Sequence, residues 1–338
     1  MTGGEVRLQA IEPMRAKPVD QLPKGRPGDY LYEPKWDGFR CIGLINEDRG
    51  VHLQSRRGAR FNESFPEVLW ALYEQLPAGT IVDGEIVRWA PDGRLDFDAL
   101  QRRNTAGRRA VELARSEPCH YVVFDVLRAC GRDVTGLPLT ARRRILQKLF
   151  LPVPPASVLA LSMQTDDPVE ALAWFKSLHV AGIEGLVIKP ANSRYEPSTL
   201  GWYKLKYRAT TLALVGGVTG SFARPAELIL GRYDDGGWLR VVGRTTRLDA
   251  AVAGQLARLL IPAGHGHPWP ERLPPGWVGS QYGQREPLLY LRVEPVVVVE
   301  VAVDVATEHH RWRHAARFLR PRPDLTPADV PLNLDLDR

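Results

Sequence analysis

Residues 33–40 read EPKWDGFR, and the interpretation of the fold begins from this stretch. A strand-like run at 30–32 precedes it and another at 39–45 follows, so Lys35 is expected in a short connection between two strands. A lysine beside an Asp-Gly pair fits an ordinary surface turn. It also fits a nucleophilic amine, which attacks only when unprotonated, so a site that uses it must lower the usual lysine pKa of about 10.4. Burial or neighbouring cations are expected to lower that pKa.

Outward from this stretch, residues 30–208 alternate between strand-like and helix-like patterns. Strands are predicted at 30–32, 39–45, 80–89, 120–127 and 185–189, and helices at 65–75, 140–149 and 168–178. Asp167 is the predicted N-cap of the last helix. The apolar face of that helix is predicted to consist of Val169, Leu172, Trp174 and Leu178.

After residue 208 the pattern changes to one dominated by strands. They are predicted at 211–219, 227–232, 238–242 and 290–305, with a hairpin turn at 234–237 (DDGG) and one helix at 249–260. Strands interrupted by a single helix over roughly 120 residues fit a small barrel such as an OB fold, and a sandwich fits almost as well. The sequence therefore predicts two domains, residues 1–208 and residues 209–338.

Composition limits the function classes. A chain of 338 residues, 44% hydrophobic and 25% charged, is expected to be soluble and to form about two domains. The net charge of +6 fits a polyanionic partner without establishing one. With no signal core or bilayer-length apolar run, a cytoplasmic location without membrane association is expected. Three cysteines without a CxxC pair argue against a disulfide framework or a structural zinc site.

Three further segments place polar or aromatic residues beside predicted strands. Residues 55–58 read SRRG, where a planar guanidinium such as that of Arg56 suits phosphate. Glu85, within VDGEIV at 82–87, is a candidate acceptor for a ribose hydroxyl or a ligand for a cation. Phe124, within the apolar strand YVVFDVL at 121–127, offers a ring face for a purine.

Two more segments follow in the second half of the predicted first domain. Residues 184–189 read EGLVIK, and the carboxylate of Glu184 is the kind of ligand that Mg²⁺ prefers. Residues 202–206 read WYKLK, where alternation puts Lys204 and Lys206 on one face of a strand. Taken singly, each segment also has an ordinary structural explanation, such as a solvated basic turn or a core strand.

Taken in order, these segments resemble nucleotidyltransferase motifs I, Ia, III, IIIa, IV and V of the ATP-dependent DNA ligases. Residues 313–324 (RHAARFLRPRPD) are similar to motif VI, and the two-domain layout looks like that of the bacterial LigC-type enzymes. The resemblance implies an α+β fold. A nucleotidyltransferase (ATP-grasp-like) adenylation domain with antiparallel sheets and flanking helices would be followed by an OB-fold β-barrel. It also implies a monomeric enzyme that seals nicks in duplex DNA during repair.

The resemblance assigns roles to individual residues. Lys35, which would carry AMP covalently, Asp37 and Arg40 are expected to be catalytic. Glu184 and Glu85 are expected to bind Mg²⁺ or Mn²⁺. ATP would contact Glu33, Lys35, Arg40, Arg56, Glu85, Phe124, Lys204, Lys206, Arg320 and Arg322. Many ligases continue motif VI with a lysine where this chain has Leu325, a departure beside Arg320 and Arg322, which the resemblance assigns to pyrophosphate.

Two alternatives share some of these features. An RNA ligase or a GTP-dependent capping enzyme would use the same lysine chemistry, and a non-catalytic OB-type nucleic-acid-binding protein would use none. The element at 313–324 and the segment at 202–206 favour a DNA ligase. Covalent labelling by ATP or GTP separates the enzymes, and its absence identifies the binding protein.

Overall fold

The structure, a computed structural model, describes residues 10–264, 266–278, 286–304, 306–332 and 334. The chain divides into two compact units, Met1–Tyr207 and Arg208–Arg338. The division comes one residue before the boundary that the change of pattern predicts. Each unit is built around its own sheets and its own apolar core.

The first unit alternates strands and helices, as its sequence predicts. Its strands are β1 (Ala16–Val19), β2 (Tyr30–Pro34), β3 (Phe39–Ile45), β4 (Val51–Ser55), β5 (Thr80–Val87), β6 (His120–Ala129), β7 (Arg132–Asp133), β8 (Leu159–Leu161), β9 (Gly185–Pro190) and β10 (Trp202–Lys206). Its helices are α1 (Pro66–Gln75), α2 (Phe97–Asn104), α3 (Ala110–Ser116), α4 (Leu139–Phe150) and α5 (Pro168–Ser177), with 3₁₀ turns at Gly107–Arg109 and Leu178–Ala181.

Two sheets organise this unit. One has the strand order β1-β10-β9-β2, and the other has the order β4-β3-β5-β6-β7 with β8 paired to β6. The pairs are antiparallel except β1 with β10 and β6 with β8. Leu72 of α1, Leu100 of α2 and Leu146 of α4 are fully buried in one cluster with β3, β5 and β6. The helices therefore cover one face of the second sheet.

A buried ion pair attaches α4 to β6. Arg142 donates from Nε to Asp125 Oδ1 at 2.8 Å and from Nη2 to Oδ2 at 2.9 Å, and both side chains are fully buried. Its remaining Nη1 donates to the carbonyl oxygens of Leu137 and Ser193. Because a buried charge needs both a counter-ion and hydrogen bonds, the aspartate beside Phe124 is explained as a structural partner of the helix.

Helix α5 confirms one prediction and corrects another. Asp167 caps it, accepting a hydrogen bond from the backbone N–H of Val169 at 2.8 Å. Half of the predicted apolar face is wrong, because Val169 is 73% exposed and Leu172 is 40% exposed, whereas Trp174 and Leu178 are partly buried as predicted. The helix packs through the fully buried Ala171 and the partly buried Trp174 and Phe175, since a small residue lets it approach the sheet closely.

The second unit consists mainly of strands. They are β11 (Arg208–Ser221), β12 (Arg224–Tyr233), β13 (Leu239–Arg244), β14 (Arg272–Leu273), β15 (Leu288–Leu289), β16 (Leu291–Arg292), β17 (Val298–Asp304), β18 (Thr307–Glu308), β19 (Arg311–Trp312) and β20 (Arg317–Pro321). The helix α6 (Ala250–Ala257), capped by Asp249, and a 3₁₀ turn at Pro327–Asp329 complete it. The predicted hairpin turn lies between β12 and β13, where Gly237 N–H donates to the carbonyl of Asp234.

The main sheet of this unit closes on itself. Its strands follow the order β13-β12-β11-β17-β20, with β16 also paired to β11. Just beyond β13, Thr245 forms a bridge with Ala316, which directly precedes β20. Ala316 N–H donates to the carbonyl of Arg244, and Thr246 N–H donates to that of Ala316, both at 2.8 Å. The two edge strands therefore meet, which confirms a barrel and excludes the sandwich.

The single strand predicted at 290–305 is wrong. The segment is divided into β16, which pairs with Gly217 and Val218, and β17, which pairs with the first half of β11. Pro295 lies between them, where its missing N–H and fixed φ prevent a continuous ladder. The last predicted residue, 305, lies outside the described residues.

Two composition-based expectations concern cysteines and membranes. Cys41 and Cys119 are buried and Cys130 is exposed, and all three are free thiols. Among the described residues, no helix combines the length and the apolar character needed to cross a membrane.

Candidate active site

A cavity of about 330 Å³ in the first unit is lined by residues of both sheets. Seven of the residues singled out from the sequence line it: Glu33, Lys35, Arg40, Arg56, Glu85, Phe124 and Lys204. They come from β2, β3, β5, β6, β10 and the connections after β2 and β4. The two sheets thus bring together side chains that are up to 171 positions apart in the sequence, as Glu33 and Lys204 are.

Lys35 lies directly after β2 and is held beside the start of β9. Its N–H donates to the carbonyl of Gly185 at 2.8 Å, and Glu184 N–H donates to the carbonyl of Lys35 at 3.0 Å. This reciprocal pairing brings the Nζ atom of Lys35 into an ion pair with the carboxylate of Glu184. The lysine side chain is 21% exposed and that of Glu184 is 3% exposed, so the amine remains accessible from the cavity.

The protonation of Lys35 differs from the sequence-based expectation. Burial acts to lower its pKa, but attraction and a hydrogen bond to Glu184, helped by Asp37 and Glu85, raise the pKa above its ordinary value. A lowered pKa is therefore wrong for the protein without ligands. The amine is held as an ammonium ion, and the negative charge of Glu184 is the main reason.

Glu85 faces the same cavity from β5, where its backbone pairs with Arg40 of β3. Burial is the main cause that raises the pKa of Glu85 to about 8, while Arg40 and Lys35 oppose the shift. Gly38 allows the close approach of the two strands, because a Cβ atom there would lie 2.2 Å from the carbonyl oxygen of Ile86. Glu85 therefore carries a full charge near neutral pH only when another cation joins it.

The two lysines of β10 extend the positive end of the cavity. Antiparallel pairing places Lys204 opposite Val187 and Lys206 opposite Gly185, beside the Lys35–Glu184 pair. Burial lowers the pKa of Lys204, and repulsion from Lys35, Lys206 and Arg56 lowers it further. Lys204 therefore lies close enough to Lys35, Lys206 and Arg56 to be repelled by each of them.

Aromatic rings form the other end of the cavity. The rings of Phe124 and Trp202 meet edge to face with centroids 6.2 Å apart. Lys189 places its Nζ 4.4 Å from the centroid of Phe124 and 4.3 Å from that of Trp202. The same ammonium pairs with Glu33 Oε2 at 2.7 Å, and Gln164 Nε2 donates to Glu33 Oε1 at 2.6 Å. Glu33 is thus held in one orientation at the aromatic end.

Arg40 is oriented by a buried network. Its Nε and Nη2 atoms donate to the two carboxylate oxygens of Asp83 at 2.6 and 2.5 Å, and Tyr195 Oη donates to Asp83 at 2.7 Å. The guanidinium carbon lies 4.6 Å from the centroid of Phe124. Because Asp83 takes one edge of the guanidinium in bidentate fashion, the arginine is fixed before any ligand arrives.

Five residues of this site were missed by the sequence analysis as functional candidates: Asp83, Gln164, Lys189, Tyr195 and Trp202. A local signal existed for two of them. Lys189 is two positions from Val187 in β9, and Trp202 is two positions from Lys204 in β10. Residues two apart in a strand face the same side, which here is the cavity. Gln164 and Tyr195 lie outside strands and helices, so no strand or helix period in the sequence indicated where their side chains point.

Arg320 and Arg322 belong to the second unit. Arg320 pairs with Glu300 at 2.8 Å, and Arg322 pairs with Asp324 at 2.7 Å and with Glu300 at 3.3 Å. The aspartate and its hydrogen bond raise the pKa of Arg322 further, and the same contact lowers the pKa of Asp324 to about 2. Leu325 packs on an apolar cluster of this unit, which explains an apolar residue at that position.

The two predicted magnesium ligands are Glu85, which lines the cavity, and Glu184, which pairs with Lys35. The described residues contain no group of three or more His, Cys, Asp or Glu side chains able to hold a metal ion by themselves. Mg²⁺ usually keeps several waters and binds one or two carboxylates together with substrate phosphates. Glu184 and Glu85, close to the cationic end, supply such a donor set and no closed cage.

Comparisons with known proteins give the family of this chain. The family model for the ATP dependent DNA ligase domain matches residues 13–206. The chain is 35% identical to DNA ligase C2 of Mycolicibacterium smegmatis, with 94% of this chain and 92% of that protein covered. It is 34% identical to DNA ligase C of Mycobacterium tuberculosis, with 95% of this chain and 92% of that protein covered.

Solved structures show that the fold is shared. A Lig E DNA ligase matches with a TM-score of 0.53 at 16% identity, with 93% of this chain and all of that chain covered. The structure named Pmar-Lig_Pre matches with a TM-score of 0.56 at 18% identity, covering 92% of this chain and 68% of that chain. With a matching family model over more than half its length and LigC-type relatives over nearly all of it, the chain belongs to the ATP-dependent DNA ligases.

Proposed function

We propose that this ligase seals nicks with a 3′-hydroxyl and a 5′-phosphate in duplex DNA, through AMP carried on Lys35. The observation that carries the proposal is the cavity itself. It places the amine of Lys35 and the cations Lys204 and Arg56 in the same space as the aromatic ring of Phe124. A purine nucleotide has the complementary design, with a flat base at one end and phosphates at the other.

In the first step, the Nζ atom of Lys35 attacks the α-phosphorus of ATP. A P–N bond forms, the P–O bond to pyrophosphate breaks, and the amine loses its proton. Such transfers depend on alignment and on neutralising the charge of the phosphates. Lys204, Lys206 and Arg56 supply positive charge. Phe124 provides a stacking surface, and the fixed carboxylate of Glu33 provides an acceptor for the exocyclic amine of adenine.

Glu184 and Glu85 would hold a Mg²⁺ or Mn²⁺ ion, which would supply positive charge to neutralise the phosphates. Glu184 has a second role, because its charge is what raises the pKa of Lys35. When its carboxylate is directed to another cation, its hold on the ammonium proton weakens and the amine becomes a nucleophile at lower pH. One carboxylate would thereby link nucleotide loading to activation of the lysine.

In the second step an oxygen of the 5′-phosphate at the nick attacks the phosphorus of lysyl-AMP, and the P–N bond breaks to release Lys35. In the third step the 3′-hydroxyl attacks the 5′-phosphorus, a phosphodiester bond forms and AMP leaves. Arg40, held by Asp83, and Arg56 are the proposed contacts of the ribose and the 5′-phosphate. Asp37 supports the lysine through its charge. Arg320 and Arg322 are proposed to orient pyrophosphate in the first step, on the strength of their motif alone.

The mass of the purified protein after incubation with ATP and Mg²⁺ tests the proposal. We expect a gain of one AMP that pyrophosphate removes and that Lys35→Ala abolishes. Lys24→Ala, at an exposed lysine outside the cavity, is the matched control and should load AMP normally. A Lys35→Ala protein that still gains AMP would overturn the assignment.

Substrates separate this proposal from the alternatives. ATP and GTP should be compared in the loading reaction, and the loaded protein should then be given a nicked DNA duplex or nicked RNA. Sealing of the DNA nick after loading with ATP is expected. GTP loading, or sealing of RNA alone, would instead identify the capping-type or RNA-ligase function.

A further inference from the structure

A second cavity of the first unit has a strongly basic lining. It measures about 500 Å³ and lies where the chain leaves β5 and meets α2, the 3₁₀ turn and α3. Its charged lining residues are Arg88, Arg102, Arg103, Arg109 and Glu117, and we call this cavity the arginine pocket. It shares no lining residue with the Lys35 cavity. Four positive groups facing one negative group give the pocket a positive potential.

Arg103 is already committed to the fold. It is 3% exposed and donates to Glu67 at 2.6 Å, and it also donates to the backbone carbonyl of Glu117. Glu67 in turn accepts a hydrogen bond from the backbone N–H of Cys119 at 2.9 Å. Arg103 therefore forms the wall of the pocket, joining α1, α2 and the end of α3, and is not available for a ligand.

Arg88 has unused hydrogen-bonding capacity. Its side chain is 15% exposed, and its nearest carboxylate is that of Glu117 at 3.7 Å, which is too long for a hydrogen bond. Its Nε atom is buried and has no hydrogen-bond partner among the described residues. The guanidinium also lines the pocket with its accessible part, which is free to donate to the oxygens of an anion there.

Arg102 and Arg109 provide the exposed side of the pocket. Both are exposed, and none of the ion pairs within the described part of the chain involves either of them. Planar guanidinium groups bind phosphate oxygens in pairs, and they are less strongly hydrated than lysine. Arg88, Arg102 and Arg109 together offer three guanidinium groups, a donor set that suits the oxygens of one phosphate group.

The pocket lies close along the chain to residues of the Lys35 cavity. Arg88 is three residues beyond Glu85, a distance of about 10 Å along an extended chain. The next residue, Trp89, packs edge to face on Trp36, the neighbour of Lys35, with centroids 6.1 Å apart. One DNA strand offers a phosphate about every 3.4 Å along the helix axis, so a duplex positioned at Lys35 has phosphates at this range.

We propose that the arginine pocket binds a backbone phosphate of the DNA duplex a few nucleotides from the nick. This inference rests on the proposed function, because it takes the duplex as the substrate. The contact contributes to duplex binding and orientation and takes no part in the transfer of AMP to Lys35.

The test compares two double variants with the same change in charge. Arg102→Gln/Arg109→Gln removes the exposed side of the pocket. Arg108→Gln/Arg115→Gln is the matched control, since both arginines are exposed on the same segment but do not line the cavity. Binding of a nicked duplex is measured over a range of salt concentrations, and lysyl-AMP formation is measured without DNA.

For the pocket variant we expect a Kd about tenfold higher at low salt. The slope of log Kd against log salt concentration should be smaller by about one, as for the loss of one phosphate contact. The control should stay within about twofold of the unmodified protein at about 0.15 M salt, where exposed charges more than about 8 Å apart are largely screened. Lysyl-AMP formation should be unchanged in the pocket variant, because that step needs no DNA.

Four results would overturn the inference. Equal weakening in both double variants would assign the effect to general surface charge, and unchanged binding in the pocket variant would remove the contact. Slower lysyl-AMP formation with unchanged duplex binding, or its inhibition by inorganic phosphate only when the pocket is intact, would assign the pocket to a free anion. Failure of the proposed function is seen separately, as an unmodified protein that forms no lysyl-AMP or seals no nick.

Discussion

The cavity contains two lysine–glutamate pairs with opposite properties. Lys35 pairs with Glu184 at the phosphate end, and Lys189 pairs with Glu33 at the base end. The pKa of Lys35 is raised, because Glu184, Asp37 and Glu85 together outweigh its burial. The pKa of Lys189 is lowered, because its burial outweighs the attraction of Glu33. The same two residue types therefore give different electrostatic results.

The difference lies in exposure and in the number of nearby carboxylates. The side chain of Lys35 is 21% exposed, whereas that of Lys189 is 1% exposed. A partly exposed lysine can exchange its carboxylate partner when a ligand enters, whereas a fully enclosed one cannot without disturbing the core. We therefore interpret the Lys35–Glu184 pair as part of the reaction chemistry. The Lys189–Glu33 pair is interpreted as structural, since it holds Glu33 in place.

Lys35→Arg separates charge from nucleophilicity and should have the largest effect. The guanidinium still pairs with Glu184 but does not lose its proton at working pH, so it cannot attack phosphorus. Lysyl-AMP formation should fall by at least about 1,000-fold while the melting temperature stays near that of the unmodified protein. Radioactive labelling by ATP measures the first quantity. Labelling at the normal rate would show that another residue carries AMP.

Lys189→Met tests whether the Lys189–Glu33 pair stabilises the fold. It leaves Glu33 buried without its counter-ion, and breaking such a pair costs about 3–5 kcal/mol. The measurement is the denaturant dependence of unfolding of the first unit.

Lys189→Met/Glu33→Gln is the control for that variant, because it also removes the orphaned charge. It should recover a substantial part of the lost stability. A single variant as stable as the unmodified protein would mean that the base-end pair is not structural.

Glu184→Gln tests the proposed metal ligand at the phosphate end. The Mg²⁺ concentration for half-maximal lysyl-AMP formation should rise about tenfold, since a neutral amide is a poorer ligand for a hard cation. Glu196→Gln, at an exposed glutamate, should leave it unchanged. An unaltered Mg²⁺ dependence in Glu184→Gln would remove this residue from the metal site.

Phe124→Leu should have the smallest effect, at the base end. Leucine keeps an apolar surface but loses the aromatic face, and base stacking is worth about 1–3 kcal/mol. The KM for ATP in lysyl-AMP formation should rise about fivefold, with little change in the rate at saturating ATP. A normal KM with a lower maximal rate would place Phe124 in the chemistry instead of in base binding.

Much of this site was predictable because its residues stand at regular positions beside strands. Lys204 and Lys206 were placed on one face by alternation, and Lys35 was placed at the end of a strand by its flanking pattern. The residues that orient them were not. Tyr195 reaches Asp83 across 112 positions, and Gln164 reaches Glu33 across 131 positions. No local period records such contacts.

Secondary structure shows the same division. The strand Phe39–Ile45 was predicted to the residue, because a short apolar run between turns is a local property. The exposed side of α5 and the break at Pro295 depended on what each segment packs against or pairs with. The helices α2 and α3, which form the arginine pocket, were not predicted, since charged residues obscure their apolar pattern.

The amino-acid sequence by itself determined the family and the order of chemical groups along the chain, because motifs and strand alternation are short-range properties. Only the tertiary structure decided which carboxylate faces each cation, and hence the protonation of Lys35. That amine and Glu184 are 149 positions apart, and the backbone pairing of their strands brings them together. Charge and burial act through distance in space, so the acid–base state of the site exists only in the folded chain.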